Sequence, residues 1–531
     1  MVKVLVADEI AQQGLDLLRE YHEVTVLTDL TEEELVTAIV DYEALVVRSQ
    51  TSVTRLVIEA GTQLKAIARA GVGVDNVDVN AATEHGVIVV NAPLANTIST
   101  AEHAFALLLA TARNIAPADA SLRSGKWERS EYSGVELAHK TLGIIGLGRI
   151  GSEVAKRAQA FQMNVVAYDP FVSKDKAESL GIEICELIHL FEISDFVTLH
   201  TTLNKDTKHL INAEILSHAK PGLRLINAAR GDLIDEKALL EAISQGYINQ
   251  AGLDVFSSEP AVGNPLTQHK NITVTPHLAA STSEAQTRAA VDVAEQVNQI
   301  LQGSVPEFPV NIDTVDTDTM LTLAPFLEPI RLAGSIASQL AVGTSTSGNI
   351  QSAHINYLGN FTGLETHPLL SSAIIGILGS ATSIPVNIVN ALNIAESTGL
   401  SVQEKFSKSI EPYENLVQVT VITDQRSEKV SATSTSAGVE IVSIGKWNIN
   451  FIPVSKILLL VENIDQPGEV GRVGQIMGDL GVNISSMAVA PGIATDDPAL
   501  MVIGISRSLD QSEALQISEL TGISRVRQVT L

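Results

Sequence analysis

A single cysteine, Cys185, stands in 531 residues. No intrachain disulfide can form, which excludes a disulfide-stapled secreted scaffold and fits a cytosolic setting. Positive charge is scarce: 35 Lys and Arg face 61 Asp and Glu, a net charge of −26. Such a surface repels nucleic acid and anionic membrane, so neither is expected as a partner. An anionic substrate would need a local cluster of arginines. The most membrane-like stretch, Leu369–Ala395, is interrupted by Pro385, Asn387, Asn390 and Asn393 and reads as a buried soluble element. The start, Met1-Val2-Lys3-Val4-Leu5-Val6, reads directly as a strand with no signal-peptide architecture, so a cytoplasmic protein is expected. There is no short-period repeat, and no metal is expected. Apolar residues, by contrast, are plentiful: 45% hydrophobic against 18% charged. That supports large buried cores, and the length suggests about three or four domains.

Gly146-Leu147-Gly148-Arg149-Ile150-Gly151 is the most informative stretch present. It follows the apolar run Thr141–Ile145 and opens a helix-like segment, Arg149–Phe161. Asp169 ends the next apolar run, Asn164–Tyr168. Strand, glycine turn, helix, strand, acid is the dinucleotide-binding fingerprint. The first glycine permits the tight turn. The second lets backbone approach a pyrophosphate at the helix N-terminus, and the third lets helix and strand pack closely. Asp169 would bind the ribose hydroxyls and repel a 2′-phosphate, favouring NAD over NADP.

Around this motif the chain alternates short apolar runs with helical patterns. Residues 2–7, 23–27, 44–47, 65–68 and 87–90 read as strands. A helix over 99–115 leads to six more strands, at 141–145, 164–168, 195–199, 223–227, 249–253 and 271–274. A long helix covers about 281–302. Alternation of this kind predicts parallel, doubly wound sheets. Val305-Pro306-Glu307-Phe308-Pro309 signals a linker. Residues 312–453 then shift to Ala, Ser, Thr, Ile and Gly, with a helical pattern near 325–342 and strand-like runs at 349–359, 418–423 and 439–444. Residues 456–531 read as βαββαβ, a ferredoxin-like module.

Three segments fall at successive strand ends, where open α/β sheets bind ligands. Leu225–Gly231 ends in Arg230, Ala251–Pro260 holds Asp254 and Glu259, and Val274–Thr282 holds His277. Oxidising an alcohol needs a base for the hydroxyl proton, and the intrinsic pKa of His277 suits it. Glu259 is the nearest carboxylate that could fix its tautomer. Arg230 could grip a substrate carboxylate. Each alone has a bland reading as a cap, turn or loop. The case rests on their coincidence.

Asn227–Gly231, Gly252–Pro260 and Thr275–Thr282, together with Arg69–Asp78, Asn91-Ala92-Pro93 and Thr97–Glu102, resemble the D-isomer-specific 2-hydroxyacid dehydrogenases. The resemblance extends to a long form carrying an intervening domain and a C-terminal ACT regulatory domain. It implies a substrate lobe of residues 1–99 and 281–305 with a flavodoxin-like sheet. A Rossmann-type NAD lobe, 100–280, would be inserted in it. An α+β intervening domain, 306–453, and an ACT domain, 454–531, would follow. His277 would be the acid–base, Glu259 its partner and Arg230 the substrate-orienting cation. Asp254 would hold the nicotinamide carboxamide. Gly146, Gly148, Arg149, Ile150 and Gly151 would line the pyrophosphate and Asp169 the adenosine ribose. Thr201, Ala229 and Ala280 would complete the NAD pocket. Gly71 and Asn96 would cradle the substrate carboxylate.

The implied substrate is 3-phospho-D-glycerate, oxidised to 3-phosphohydroxypyruvate at the entry to serine synthesis. Arg48 and Arg69 follow strands at the ligand end and are the better candidates for its phosphate; Arg55 could equally be structural. Asn463, Asp465 and Asn483 match the ACT positions that hold an amino-acid effector between two subunits, which implies a homo-oligomer, dimer or tetramer, inhibited by L-serine. Relatives often have His or Tyr where Asn463 stands. Two alternatives remain: a dehydrogenase of D-glycerate or another 2-hydroxy acid, and an NAD-sensing binding scaffold of the same fold.

Overall fold

The computed structural model describes residues 1–531 except 344–348, 380, 383, 384, 410 and 493–496. Its first sheet holds β1 (Lys3–Val6), β2 (Glu23–Val26), β3 (Ala44–Val47), β4 (Ala66–Arg69) and β5 (Ile88–Asn91). They are parallel, in the order β2-β1-β3-β4-β5. β3 is buried along its whole length, as an interior strand covered on both faces must be. The helix Ser283–Leu301 returns to this sheet, packing Ala289, Val293 and Val297 against Val4, Val6 and Val46.

The second sheet is also wholly parallel. It holds β6 (Thr141–Ile145), β7 (Asn164–Tyr168), β8 (Glu183–Ile184), β9 (Phe196–Leu199), β10 (Leu223–Asn227), β11 (Ile248–Leu253) and β12 (Ile272–Val274). The order is β12-β11-β10-β9-β6-β7-β8, so the direction of winding switches between β6 and β9. The sequence predicts six strands here and the structure has seven. β8 has two residues, too few to leave a periodic signal. The helix Thr97–Arg113 passes between the lobes, burying Ala101, Ala104, Phe105 and Leu108 in the core beneath β6.

The linker joins the first lobe rather than running free. Val310 N–H donates to the Val89 carbonyl. The Asn311 amide bonds Val89 N–H at 2.8 Å and the Val87 carbonyl at 2.9 Å. Beyond it, the helix Thr317–Val342 and the helix His367–Leu378 cover a six-stranded sheet. That sheet contains β13 (Ile350–Leu358), β14 (Ser401–Ser407), β15 (Leu416–Thr423), β16 (Ser427–Thr435), β17 (Gly438–Ile444) and β18 (Trp447–Phe451). β14, β16 and β18 have no counterpart in the sequence reading. β14 is largely exposed and polar, and lies at the sheet edge. The described part of Leu369–Ala395 holds most of one buried helix and the start of another, Ala391–Ser397. Among the described residues no helix is long and apolar enough to cross a membrane.

The last sheet, β19 (Ile457–Asn463), β20 (Ile484–Ala490), β21 (Ala499–Ile505) and β22 (Ile523–Thr530), is antiparallel in the order β20-β21-β19-β22. One face carries its own helices. The other sends Leu458, Leu460, Leu500, Val502 and Val529 into the same core as Val419, Val430 and Trp447 of the preceding sheet. Two domains therefore share one hydrophobic core.

Candidate active site

A cavity of about 490 Å³ lies between the first two lobes. It is lined from one side by Arg48, Arg69, Gly71 and Asn96, and from the other by Glu259, His277 and Ala280. The chain order scatters these residues over more than two hundred positions. The two parallel sheets bring them together because each residue sits at or just beyond the carboxyl end of a strand or at a helix start.

His277 Nδ1 is 2.7 Å from Glu259 Oε2. That hydrogen bond, aided by the nearby carboxylate charge, raises the His277 pKa against the opposing effect of burial. Burial pushes the Glu259 carboxyl up, but bonds from His277 and the Phe256 N–H outweigh it and hold it below the usual range. With Nδ1 engaged, Nε2 is the nitrogen left to exchange a proton. The backbone of His277 is left-handed, φ 55°, an uncommon conformation for a residue with a Cβ.

Asp254 over-determines that loop. Its carbonyl accepts from His277 N–H at 2.9 Å. Its carboxylate is fully buried and accepts from Thr275 Oγ1, His103 Nε2 and the N–H groups of Leu278 and Ala279. Burial raises its pKa and these four bonds more than reverse that. Sequence reasoning missed His103, whose partner lies 151 residues away. The available signal was a histidine on the otherwise apolar face of the helix Thr97–Arg113.

Arg48 and Arg69 set two cations in the cavity wall. Arg69 is mostly buried, and its Nε has no partner, as is true of Asn96 Oδ1. Burial first, then the charge of Arg230, lowers the Arg69 pKa to about 10. A cationic cluster left short of negative charge fits an anionic ligand. Arg230 does not line the cavity. Its guanidinium is held by Asp75 of the opposite lobe at 3.2 Å and by its own neighbour's carbonyl. Asp75, 74% exposed at its side chain, was also missed by the sequence reading. Arg55 is paired with Glu84 at 2.7 Å, away from the cleft.

The glycine turn fits a dinucleotide. Gly146 has φ 92°, and a Cβ there would strike the backbone at His200 and Thr201. A Cβ on Gly151 would strike the Gly146 carbonyl, whereas a Cβ on Gly148 would point into open space. Gly148 and Arg149 are exposed at the helix start and Ile150 is half-buried beside them. Asp169 accepts from Leu147 N–H in the turn at 2.8 Å, and from Phe171 and Val172 N–H. The turn follows β6 and Thr201 follows β9, so the two flank the switch in winding. Ala229 follows β10 and is half-buried.

Residues 105–279 match the D-isomer specific 2-hydroxyacid dehydrogenase NAD binding domain, and residues 322–444 match the D-3-phosphoglycerate dehydrogenase intervening domain. D-3-phosphoglycerate dehydrogenase of Methanocaldococcus jannaschii is 41% identical over the full length of both chains. The chain belongs to the D-3-phosphoglycerate dehydrogenase family. The homologue from Synechocystis sp. is 40% identical over all of this chain and 95% of its own. Among solved structures, D-lactate dehydrogenase from Escherichia coli superposes with a TM-score of 0.53 at 29% identity. It covers 58% of this chain and 100% of its own. D-3-phosphoglycerate dehydrogenases are thus oxidoreductases of the 2-hydroxyacid class, and the fingerprint lobe of this member is an NAD-binding domain.

In the C-terminal module, Asn463 is buried, with its amide donating to the Ile464 carbonyl and its Oδ1 unpartnered. Asp465 and Asn483 are exposed. β19 and β21 run antiparallel, with Asn463 opposite Ala499 and Ile457 opposite Ile505. Asn483 precedes Ile484, which pairs with Ile505. Asn463 and Asn483 therefore lie at opposite ends of the sheet, about 20 Å apart along the strands. One chain does not bring them together.

Proposed function

We propose that the protein oxidises 3-phospho-D-glycerate to 3-phosphohydroxypyruvate with NAD, the first step toward L-serine. The observation that carries this reading is one cavity holding a His–Glu pair opposite two arginines, one with an unpartnered buried nitrogen. The glycine turn, Asp169 and Thr201 would hold NAD, which when bound supplies the hydride acceptor. Asp254 would orient the carboxamide through the loop it braces, and Ala229 and Ala280 would close the pocket. The Gly71 backbone and Asn96 hold the substrate carboxylate. Arg230, released from Asp75 as the lobes close, polarises the forming carbonyl. Arg48 and Arg69 take the phosphate. His277 Nε2 accepts the hydroxyl proton during oxidation and returns it during reduction, while Glu259 stabilises the imidazolium.

The protein works in the cytoplasm as a homo-oligomer. L-Serine binds between C-terminal modules of two subunits, where Asn463 and Asp465 of one copy meet Asn483 of the other. Turnover by purified protein with NAD and a panel of D-2-hydroxy acids tests the catalytic reading. Preference for 3-phospho-D-glycerate is expected; preference for D-glycerate or D-lactate would reassign the substrate, and no turnover of any acid would point to a binding scaffold.

A further inference from the structure

The helix Thr97–Arg113 is the element that leaves the first lobe and enters the second. Its N-cap, Asn96, lines the cavity on the substrate side. Two turns on, about 10 Å along the axis and on the same face, stands His103. The imidazole Nε2 is 3.1 Å from Asp254 Oδ1 and 3.0 Å from Thr275 Oγ1. Thr275 Oγ1 donates its one proton to Asp254 Oδ1 at 2.5 Å. The hydrogen shared with both oxygens must then come from His103, which makes Nε2 the protonated nitrogen. Asp254 is inaccessible to solvent, and His103 retains 20% exposure. Removing the donor leaves a buried carboxylate short of one of its four bonds, beside the left-handed residue His277.

We infer that His103 is a positioning residue: it ties the interlobe helix to the Asp254-braced loop 275–279, so that a substrate seated on Asn96 and the imidazole of His277 keep a fixed relation. His103 is not among the residues lining the interlobe cavity. It acts through Asp254 and Thr275. The inference rests on the dehydrogenase reading above.

The test uses the full chain with His103→Leu, which fills the space without a donor, and His103→Gln, whose amide can still donate. Three quantities are read: hydrogen exchange of the 275–280 backbone amides, NADH affinity with melting temperature, and kcat with KM. In His103→Leu we expect faster exchange in the loop and a kcat lower by about 10²-fold, the scale of a misplacement near 1 Å. KM should stay near wild type, while melting temperature and NADH affinity should fall modestly, because a buried carboxylate loses one of its four bonds. His103→Gln should recover most of both effects. Wild-type kcat and loop exchange in His103→Leu would overturn the inference. So would equal losses of kcat and loop order in both variants, since His103→Gln keeps a donor; that result would make His103 a packing residue. If wild type itself turned over no D-2-hydroxy acid, the dehydrogenase reading would fail instead, and unchanged loop exchange in His103→Leu would still refute the tie.

Discussion

The chemistry turns on how one imidazole is held. The His277 pKa is raised by its bond to Glu259, so the imidazolium persists to higher pH than in a free histidine. Oxidation needs the neutral base. Its kcat/KM should therefore rise with pH through a value higher than that of a free histidine, and reduction should show the opposite limb. Glu259→Gln keeps a hydrogen-bonding group but removes the charge, so the rise should move to lower pH with reduced maximal turnover. A pH profile that does not move would separate Glu259 from the titration. His277→Ala should cut turnover by about 10²–10⁴-fold while NADH titration shows binding nearly intact. A variant keeping more than half of wild-type turnover would remove His277 from the acid–base role.

At the level of elements, the glycine turn and Asp169 act as one unit. The carboxylate accepts the Leu147 N–H inside the turn, and in the proposed function it takes the ribose hydroxyls. Asp169→Ala should weaken NAD binding and narrow the preference over NADP. Comparable use of both cofactors by wild type would contradict this. Elements with a strong local signal were legible in the sequence. The apolar runs of β6, β9 and β10 are buried throughout or nearly so, and Gly146 and Gly151 mark a turn whose close contacts require them. What stayed hidden depends on tertiary contact. β8 is two residues long. Asp75 acquires meaning only across the cleft from Arg230. His103 acquires it only against Asp254, and the separation of Asn463 from Asn483 follows from strand register. The residues Arg48, Arg69, Glu259 and His277, and a cleft between two lobes, could be named from strand ends and resemblance, but not the distances among them.

On the scale of the whole molecule, the C-terminal module is not an appendage. Its sheet shares a core with the preceding domain. Gln339 pairs both ways with the Thr530 backbone, and Arg527 joins Glu428 at 2.6 Å and Glu462 at 3.0 Å. That composite in turn touches the first lobe, where Asn387 donates to the Gly86 carbonyl at 2.7 Å. Truncation after residue 453 should therefore expose Trp447, whose indole N–H donates to the Pro498 carbonyl, and destabilise residues 312–453. Limited proteolysis and near-ultraviolet circular dichroism would show it; a truncated chain with a native-like, protease-resistant middle domain would contradict the shared core. For regulation, millimolar-scale L-serine should inhibit the intact oligomer, and Asp465→Ala should lose inhibition with turnover preserved. A coupling of about 1–3 kcal/mol suffices, and wild type that neither binds nor responds to serine would dismiss this ligand. In the proposed function the interlobe cavity selects a phosphorylated D-2-hydroxy acid for oxidation. The most direct measurement compares kcat/KM for 3-phospho-D-glycerate and D-glycerate in wild type, Arg48→Ala and Arg69→Ala. A charge-assisted hydrogen bond is worth about 1.5–3 kcal/mol, so each variant should lose roughly tenfold to a hundredfold on the phosphorylated acid and far less on D-glycerate. Equal losses on both acids, or a wild type indifferent to the phosphate, would show that Arg48 and Arg69 do not read the phosphate.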